Sequence, residues 1–463
     1  MTKKEPRLPF LAYVLALSGF AGPFMFSGVA VILPAMGKDL QISGVALSLI
    51  EIVYLGAAAA FLLPIGYLAD KTDKNTLFKI GSLFYAIATL SIGFFSYVPA
   101  IIGFRLLQGL SSGLVIATSI AILTDIVPKE KLGKAIGINT AAAYLGLSAG
   151  PFIAGWITTQ FGWRWVFHIA FIPLILSYVL IQVNLKSNWK FVKIQFDWLG
   201  ALLIVASMSL FVCGIVMIKE SAIGYFLCAS GVLVTVLFFI VENRITNPLL
   251  KLNEIKKNRD LSVALITQLL MYAGGFSITF LFSLYLQYVK GLSSQSAGLI
   301  LFISPVIMVI FSPICGRMAD KYSPKRLASL GLFLSFASVL LASQITDVTG
   351  IFYLLVILIV QSFGFALFTI PIVAIIMKSV SPQEYTMVAA LSAEMRSLGM
   401  VFSMMIITIF MSISLGGKMI DGHATEFLFV MRCSFITFAF FGGGGIYLST
   451  KRSKHKTLKH NRA

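Results

Sequence analysis

The chain is 463 residues long, enough by length alone for about three soluble domains. Apolar residues make up 58% of it and charged residues only 12%, where a soluble domain carries about a quarter. So few charges cannot keep a surface of that size in water, which excludes a soluble enzyme, a nucleic-acid binder and a disordered protein.

A helix that crosses the hydrocarbon core of a bilayer needs about 20 apolar residues. Such runs occur at 10–33, 44–68, 77–97, 99–123, 134–157, 165–184, 197–217 and 222–241, and then at 261–288, 295–315, 327–345, 350–377, 387–412 and 424–449. They predict fourteen membrane helices, an even number that puts both termini on one side. Of the 36 Lys and Arg, 28 fall on the side of the termini and six on the other, while Arg105 and Arg396 lie within helices. This bias predicts cytoplasmic termini. It also accounts for the net charge of +18 without any nucleic acid, and the basic tail after Thr450 suits anionic lipid headgroups. Cys213, Cys228, Cys315 and Cys433 are dispersed in apolar runs, and the four histidines are scattered, so no metal or cofactor site is expected. The longest gap, Glu242–Asp260, is too short for an ATP-binding domain, and no Gly-x-x-x-x-Gly-Lys-Ser/Thr loop occurs.

Gly66-Tyr-Leu-Ala-Asp70-Lys71-Thr-Asp-Lys74 follows the second helix, and Gly316-Arg-Met-Ala-Asp320-Lys321 follows the tenth. This echo divides the chain into an N-terminal bundle (1–185), a linker with an inserted hairpin of helices 7 and 8 (186–243), a C-terminal bundle (244–450) and a basic tail (451–463). Duplicated halves mark a secondary transporter whose site lies between them.

Further motifs are Arg105-Leu-Leu-Gln108-Gly109 in helix 4 and Gly146-Leu-Ser-Ala-Gly150-Pro151-Phe-Ile-Ala-Gly155 in helix 5. Glu242-Asn-Arg-Ile-Thr-Asn-Pro248 and Leu286-Gln287-Tyr-Val-Lys-Gly291-Leu-Ser293 follow later in the chain. With these the chain resembles the major facilitator superfamily, in its fourteen-helix drug:proton antiporter branch of bacterial multidrug and tetracycline exporters. The resemblance implies an all-α polytopic fold of two six-helix bundles, a monomer in the bacterial cytoplasmic membrane, and proton-driven export of hydrophobic, often cationic, compounds. A dedicated exporter of one compound is the alternative. Two departures stand out: Phe24–Val29 holds no acid where members of this branch often carry an Asp in helix 1, and the gap around 414–425 is short.

Ionisable groups in hydrocarbon are costly and point to function. Glu51 and Arg105 lie at similar depth in helices 2 and 4, so they form either a proton site or a structural salt bridge. Glu394 in helix 13 is a candidate proton or cation acid, and Arg396 belongs to an Arg-x-x-Gly pattern with Gly399. Asp70 reads as a charge lock between the halves or as an ordinary loop acid, with Gly66, Lys71, Lys74 and Asp320 as its partners in gating. In helix 5, Gly146, Gly150 and Ala154 form a small-residue stripe for close helix approach, and Pro151 bends the helix beside it. Tyr54, Tyr144, Gln268, Tyr272, Gln361, Phe365 and Arg396 are the candidate lining of an apolar-aromatic substrate cavity.

Overall fold

The computed structural model describes residues 8–127, 129–184, 197–218, 221–245, 248–249, 255, 257–380 and 385–450. The first eight long helices are α1 (Leu8–Leu40), α2 (Gly44–Lys71), α3 (Lys74–Ile92), α4 (Val98–Ile126), α5 (Lys129–Phe161), α6 (Arg164–Asn184), α7 (Trp198–Met217) and α8 (Ala222–Glu242). They are followed by α9 (Arg259–Leu284), which runs into a π-helical turn at Tyr285–Val289, and α10 (Ser294–Lys321). The last four are α11 (Pro324–Ala342), α12 (Ile351–Lys378), α13 (Tyr385–Ser414) and α14 (Ala424–Thr450). All fourteen are long and apolar enough to span a bilayer. Odd-numbered helices run from the end of the molecule that carries the termini, here called proximal, toward the distal end.

Local chemistry sets the helix starts. Ser43, Asp73, Asp197, Ser221, Asn258 and Ser293 each cap a helix by accepting a backbone N–H from its first turn. Pro99 and Pro324 sit in the first turns of α4 and α11, where a missing N–H costs nothing. These caps also explain the differences from the hydropathy reading. The Asp73 cap starts α3 three residues before the apolar run, and the chain turns at Gly93 rather than continuing to 97. Helix α1 passes straight through Pro34 to Leu40, about two turns beyond its apolar run. Its last turn is fixed from outside: Asp39 accepts from Arg164 Nη1 at 2.6 Å and from Trp163 Nε1 at 3.0 Å.

The two halves repeat one packing scheme. α1 packs on α5 and α6 as α9 packs on α13 and α14; α2 and α3 pack on α4 as α10 and α11 pack on α12. Two seams join the halves in the same symmetry, α2 against α13 and α5 against α10. The hairpin is held together by a bond between the Ser207 and Thr235 hydroxyls at 2.6 Å and by the close fit of Gly214 against Cys228. Its inner helix, α7, packs on both α2 and α13. The outer face is apolar and exposed, with Leu202, Phe226 and Leu233 well suited to lipid.

Candidate functional site

In the N-terminal half, the buried polar centre is a single chain of bonds. Arg105 and Glu51 are both fully buried and meet at 2.8 Å. The guanidinium also donates to the Ile50 carbonyl at 2.9 Å and to Gln108 Oε1 at 2.7 Å, and it lies 4.4 Å from the centre of the Tyr54 ring. Gln108 in turn donates to Thr89 Oγ1 at 2.8 Å, which carries the network into α3. The i, i+3 spacing of Arg105 and Gln108 puts both on the α4 face that meets α2, where Gly109 lets the helices close on the Tyr54 backbone. Thus Tyr54 stacks beneath an arginine inside the bundle. Glu51 Oε1 has no hydrogen-bond partner.

The helix 5 motif does what its small residues permit. A Cβ at Gly146 would collide with the Phe20 carbonyl of α1, and one at Gly150 would collide with Ser27. Ala154 is fully buried beside Gly28. The other face of α5 serves the opposite half: the Pro151 carbonyl lies against Gly298 of α10, and Gly155 lies against the Ser294 backbone. One helix therefore fits tightly against its own bundle and against the other.

Toward the distal end, α1 and α9 converge. Phe26 stacks on Phe276 with ring centroids 5.2 Å apart. Beyond this pair, Ser283 Oγ donates to the Ala30 carbonyl at 2.5 Å, Gln287 Nε2 to the Val31 carbonyl at 2.8 Å, and Tyr288 OH to the Pro34 carbonyl at 3.1 Å. The first of these has a specific cause. Pro34 has no N–H, so the carbonyl four residues back, Ala30, loses its helical partner, and a serine from the opposite half supplies one. Gln287 is braced by Ser294 Oγ at 2.8 Å, and the Gln295 N–H reaches Thr159 Oγ1 at 3.1 Å. At the other seam, the Gly44 N–H reaches the Lys418 carbonyl at 3.2 Å. These contacts close the distal end. Ser283, Tyr288 and Ser294 were not anticipated from sequence; the only signal was the Leu286–Ser293 stretch, recognised as a motif without a role.

The C-terminal half holds the remaining candidates. Tyr272 and Phe365 meet edge to face at 5.0 Å, and Tyr272 is within electrostatic range of Arg396 on α13 and Tyr144 on α5. All four are half-buried and come from both halves, an aromatic and cationic group proximal to the Phe26–Phe276 pair. Gln268 and Gln361 bond between helices through their carbonyl oxygens, while the Nε2 of each has no hydrogen-bond partner. Gln268 Oε1 accepts from Ser392 at 2.9 Å, and Gln361 Oε1 accepts from Ser335 at 2.9 Å and from Ser338. Arg396 Nη1 also reaches Ser392 Oγ at 3.2 Å. Glu394 is fully buried, and neither of its oxygens has a hydrogen-bond partner.

At the proximal end, Lys74 pairs with Asp125 at 2.6 Å and joins α3 to α4 within the N-terminal half. Gly66 has open space where a Cβ would stand. The side chains of Asp70, Lys71 and Asp320, expected to form the charge lock, lie outside the described ones.

Comparison with known proteins agrees with this architecture. The chain is 31% identical to the tetracenomycin C resistance and export protein of Streptomyces glaucescens over 67% of this chain and 58% of that one. It is 29% identical to multidrug resistance protein 3 of Bacillus subtilis, covering 76% and 70%. Against the riboflavin transporter RibZ of Clostridioides difficile the identity is 26%, covering 79% and 80%. Among solved structures, a bacterial homolog of the human lysosomal transporter Spinster superposes with a TM-score of 0.70 at 13% identity over 97% of each chain, a likeness of fold. The family model of the Major Facilitator Superfamily matches residues 15–244 and 264–463. With its fourteen membrane helices, its duplicated halves and these relatives, the chain belongs to the Major Facilitator Superfamily: it is a multi-pass transporter of the bacterial cytoplasmic membrane and not an enzyme.

Proposed function

We propose that this transporter exports hydrophobic, often cationic, compounds in exchange for protons. The observation that carries the coupling is Glu394, a carboxyl fully buried in a membrane helix with no hydrogen bond to either oxygen. An ionised carboxylate left so is very unfavourable, whereas a neutral acid is tolerable. Such a group is suited to alternate between proton-loaded and ionised forms as the halves rearrange. Glu51 and Arg105 are the second candidate pair, with one oxygen of Glu51 still open to a proton.

Alternating access follows from the seams. If the basic excess puts the proximal end in the cytoplasm, the distal closure is the external gate and this form is shut to the outside. Opening it means separating Ser283, Gln287 and Tyr288 from α1 while α5 slides between its two partners. Asp70 with Lys71, and its echo at Asp320, would then lock the opposite, proximal end. The Tyr144, Tyr272, Phe365 and Arg396 group supplies ring faces and edges for an apolar substrate.

Efflux from proteoliposomes under an imposed pH gradient tests this reading. Ethidium or tetraphenylphosphonium should be moved against its gradient by the parent, and Glu394→Gln should bind the compound but lose pH-driven movement. Parental pumping by both Glu394→Gln and Glu51→Gln would reject protonation of these acids as the coupling step. A second reading, export of a single compound, is favoured by likeness to the tetracenomycin export protein and the riboflavin transporter. Competition among unrelated compounds for one efflux signal separates the two: a multidrug site is inhibited by many, a dedicated one by a single chemical class.

A further inference from the structure

Glu394 does not share a side of α13 with Arg396. Ser392 and Gly399 mark the face of α13 that meets α9, through Gln268, the Leu269 and Ala273 backbone and the Tyr272 Cβ. At about 100° per residue, Arg396 stays within roughly 40° of Ser392, toward Tyr272, while Glu394 points roughly 200° away. Of the helices packed on α13, α12 and α14 pack on α9 as well, whereas α2 and α7 of the inserted hairpin pack on each other, which points to the side of α13 away from α9 for those two. Leu203 and Ile204 of α7 lie in the same buried cluster as Leu391, which is one turn before Glu394 and within about 60° of it around α13. Met208 and Val212 of α7 pack on the cluster that holds Val401 and Met404, the turns just after it. Depth agrees: Glu394 is about 13 Å into α13 from Tyr385, and Ile204 and Met208 are about 9 and 15 Å into α7 from Trp198, two helices that run in the same direction.

We infer that the inserted hairpin is the cover of an ion site: α7 seals Glu394 against lipid at the seam between α2 and α13, on the side of α13 away from the aromatic group. The inference rests on the proposed role of Glu394 as the proton-carrying acid and gives that role a place. Without α7, the open side of this seam would put a lone carboxyl against hydrocarbon. With it, the acid is buried among apolar side chains that can part when α2 and α13 separate.

Among the described residues, the neighbouring helices provide no nearby counter-charge. On α2, Glu51 is taken up by Arg105 toward α4. On α7, Asp197 caps its own first turn and Cys213 is exposed. Tyr272 of α9 lies on the other side of α13, Lys378 ends α12, and Glu426 of α14 reaches Lys418 at the distal end. Arg432 of α14 stands about two turns from the distal start of that helix, while Glu394 is in the proximal third of α13. The ion for such a site is a proton, because apolar walls give a metal cation no coordinating oxygens beyond the carboxylate, and substrate and ion would occupy opposite sides of one helix.

Carbodiimide chemistry reads the location without a transported substrate. The full-length protein in liposomes is treated with dicyclohexylcarbodiimide, which reaches protonated carboxyls through hydrocarbon, or with a water-soluble carbodiimide, and modification of Glu394 is quantified by peptide mass spectrometry. Thinning the cover with Ile204→Ala and Met208→Ala, together or singly, should raise dicyclohexylcarbodiimide labelling of Glu394 at least threefold. Labelling by the water-soluble reagent should stay at the parental level, and Leu202→Ala on the lipid face should change neither. If the pair does not fold, Met208→Val carries the same expectation at smaller size. No rise, or a rise with the water-soluble reagent instead, overturns the cover. Loss of pH-driven efflux in Glu394→Gln is a separate result, so a misplaced cover and a non-coupling acid can be told apart.

Discussion

Among the described residues, each half of this transporter buries one acid completely, and the two are treated in opposite ways. Glu51 in the N-terminal half has an arginine at 2.8 Å, and that arginine is itself held by a backbone carbonyl, a glutamine and an aromatic ring. Glu394 in the C-terminal half has no hydrogen bond at all. A buried charge surrounded by matched partners resists change, because moving any one member strands the others. A buried acid without partners changes state at little cost to its surroundings. The N-terminal half is thus built as the rigid reference, and the C-terminal half carries the group that can alternate.

The largest expected effect follows from breaking the rigid side. Arg105→Ala leaves Glu51 and Gln108 buried without their donor, and removal of one member of a buried ion pair costs about 3–5 kcal/mol. Thermal unfolding in detergent should show it as the greatest loss of melting temperature among these variants. Glu394→Gln should leave the melting temperature at or above the parental value, since no native bond is removed. If Glu394→Gln destabilises as much as Arg105→Ala, the contrast between the halves is wrong.

The seam contributed by α5 sharpens the comparison at intermediate size. Gly146→Val and Gly150→Val force side-chain atoms into the α1 backbone, and overpacking of this kind costs about 1–3 kcal/mol. Gly298→Val makes the same collision across the halves, against the Pro151 carbonyl. The first two should lower the melting temperature. The third should instead favour separation of the distal ends, read as faster alkylation of a cysteine placed at Ile42, which lies beside Tyr288 and Met419 where the halves meet. Equal effects of all three on stability alone would mean that α5 packs on both halves in the same static way.

The helices were legible because membrane spans need only length and hydropathy, and most boundaries fell within a turn, although α1, α5 and α10 run more than a turn past their apolar runs and α3 stops short of its own. Pro34 hid the last turns of α1: a proline usually ends an apolar run, and only the serine supplied by α9 shows why the helix continues. The Glu51–Arg105 pair could be expected from depth alone, since two helices of one bundle offered opposite charges at one level. The partners of Gln268 and Gln361 could not, because a glutamine on an apolar helix is as suited to bonding a neighbouring helix as to facing a ligand. The face of Glu394 was equally hidden. Periodicity separates it from Arg396, but which side of α13 meets the chamber and which meets the hairpin is decided by tertiary packing.

The smallest effect tests the distal closure, where the two halves meet through side chain to backbone bonds. Ser283→Ala removes the partner of the Ala30 carbonyl that Pro34 has left without one, and a buried acceptor left so costs about 1–3 kcal/mol. Tyr288→Phe removes only the bond to the Pro34 carbonyl, at the half-buried rim, worth about 0.5–1.5 kcal/mol. Both bonds exist only while the distal end is closed, so their loss shifts the balance of states rather than unfolding the protein. At about 1.4 kcal/mol per tenfold change, Ser283→Ala should raise the open population roughly five- to a hundredfold and Tyr288→Phe roughly two- to tenfold. Distance measurement between spin labels placed on the distal ends of α1 and α9 reads that population directly. Pro34→Ala provides the internal control. It restores the backbone donor to Ala30, so adding Ser283→Ala to it should cost less than Ser283→Ala alone, and strict additivity of the two would show that the serine is not there to serve the carbonyl freed by the proline.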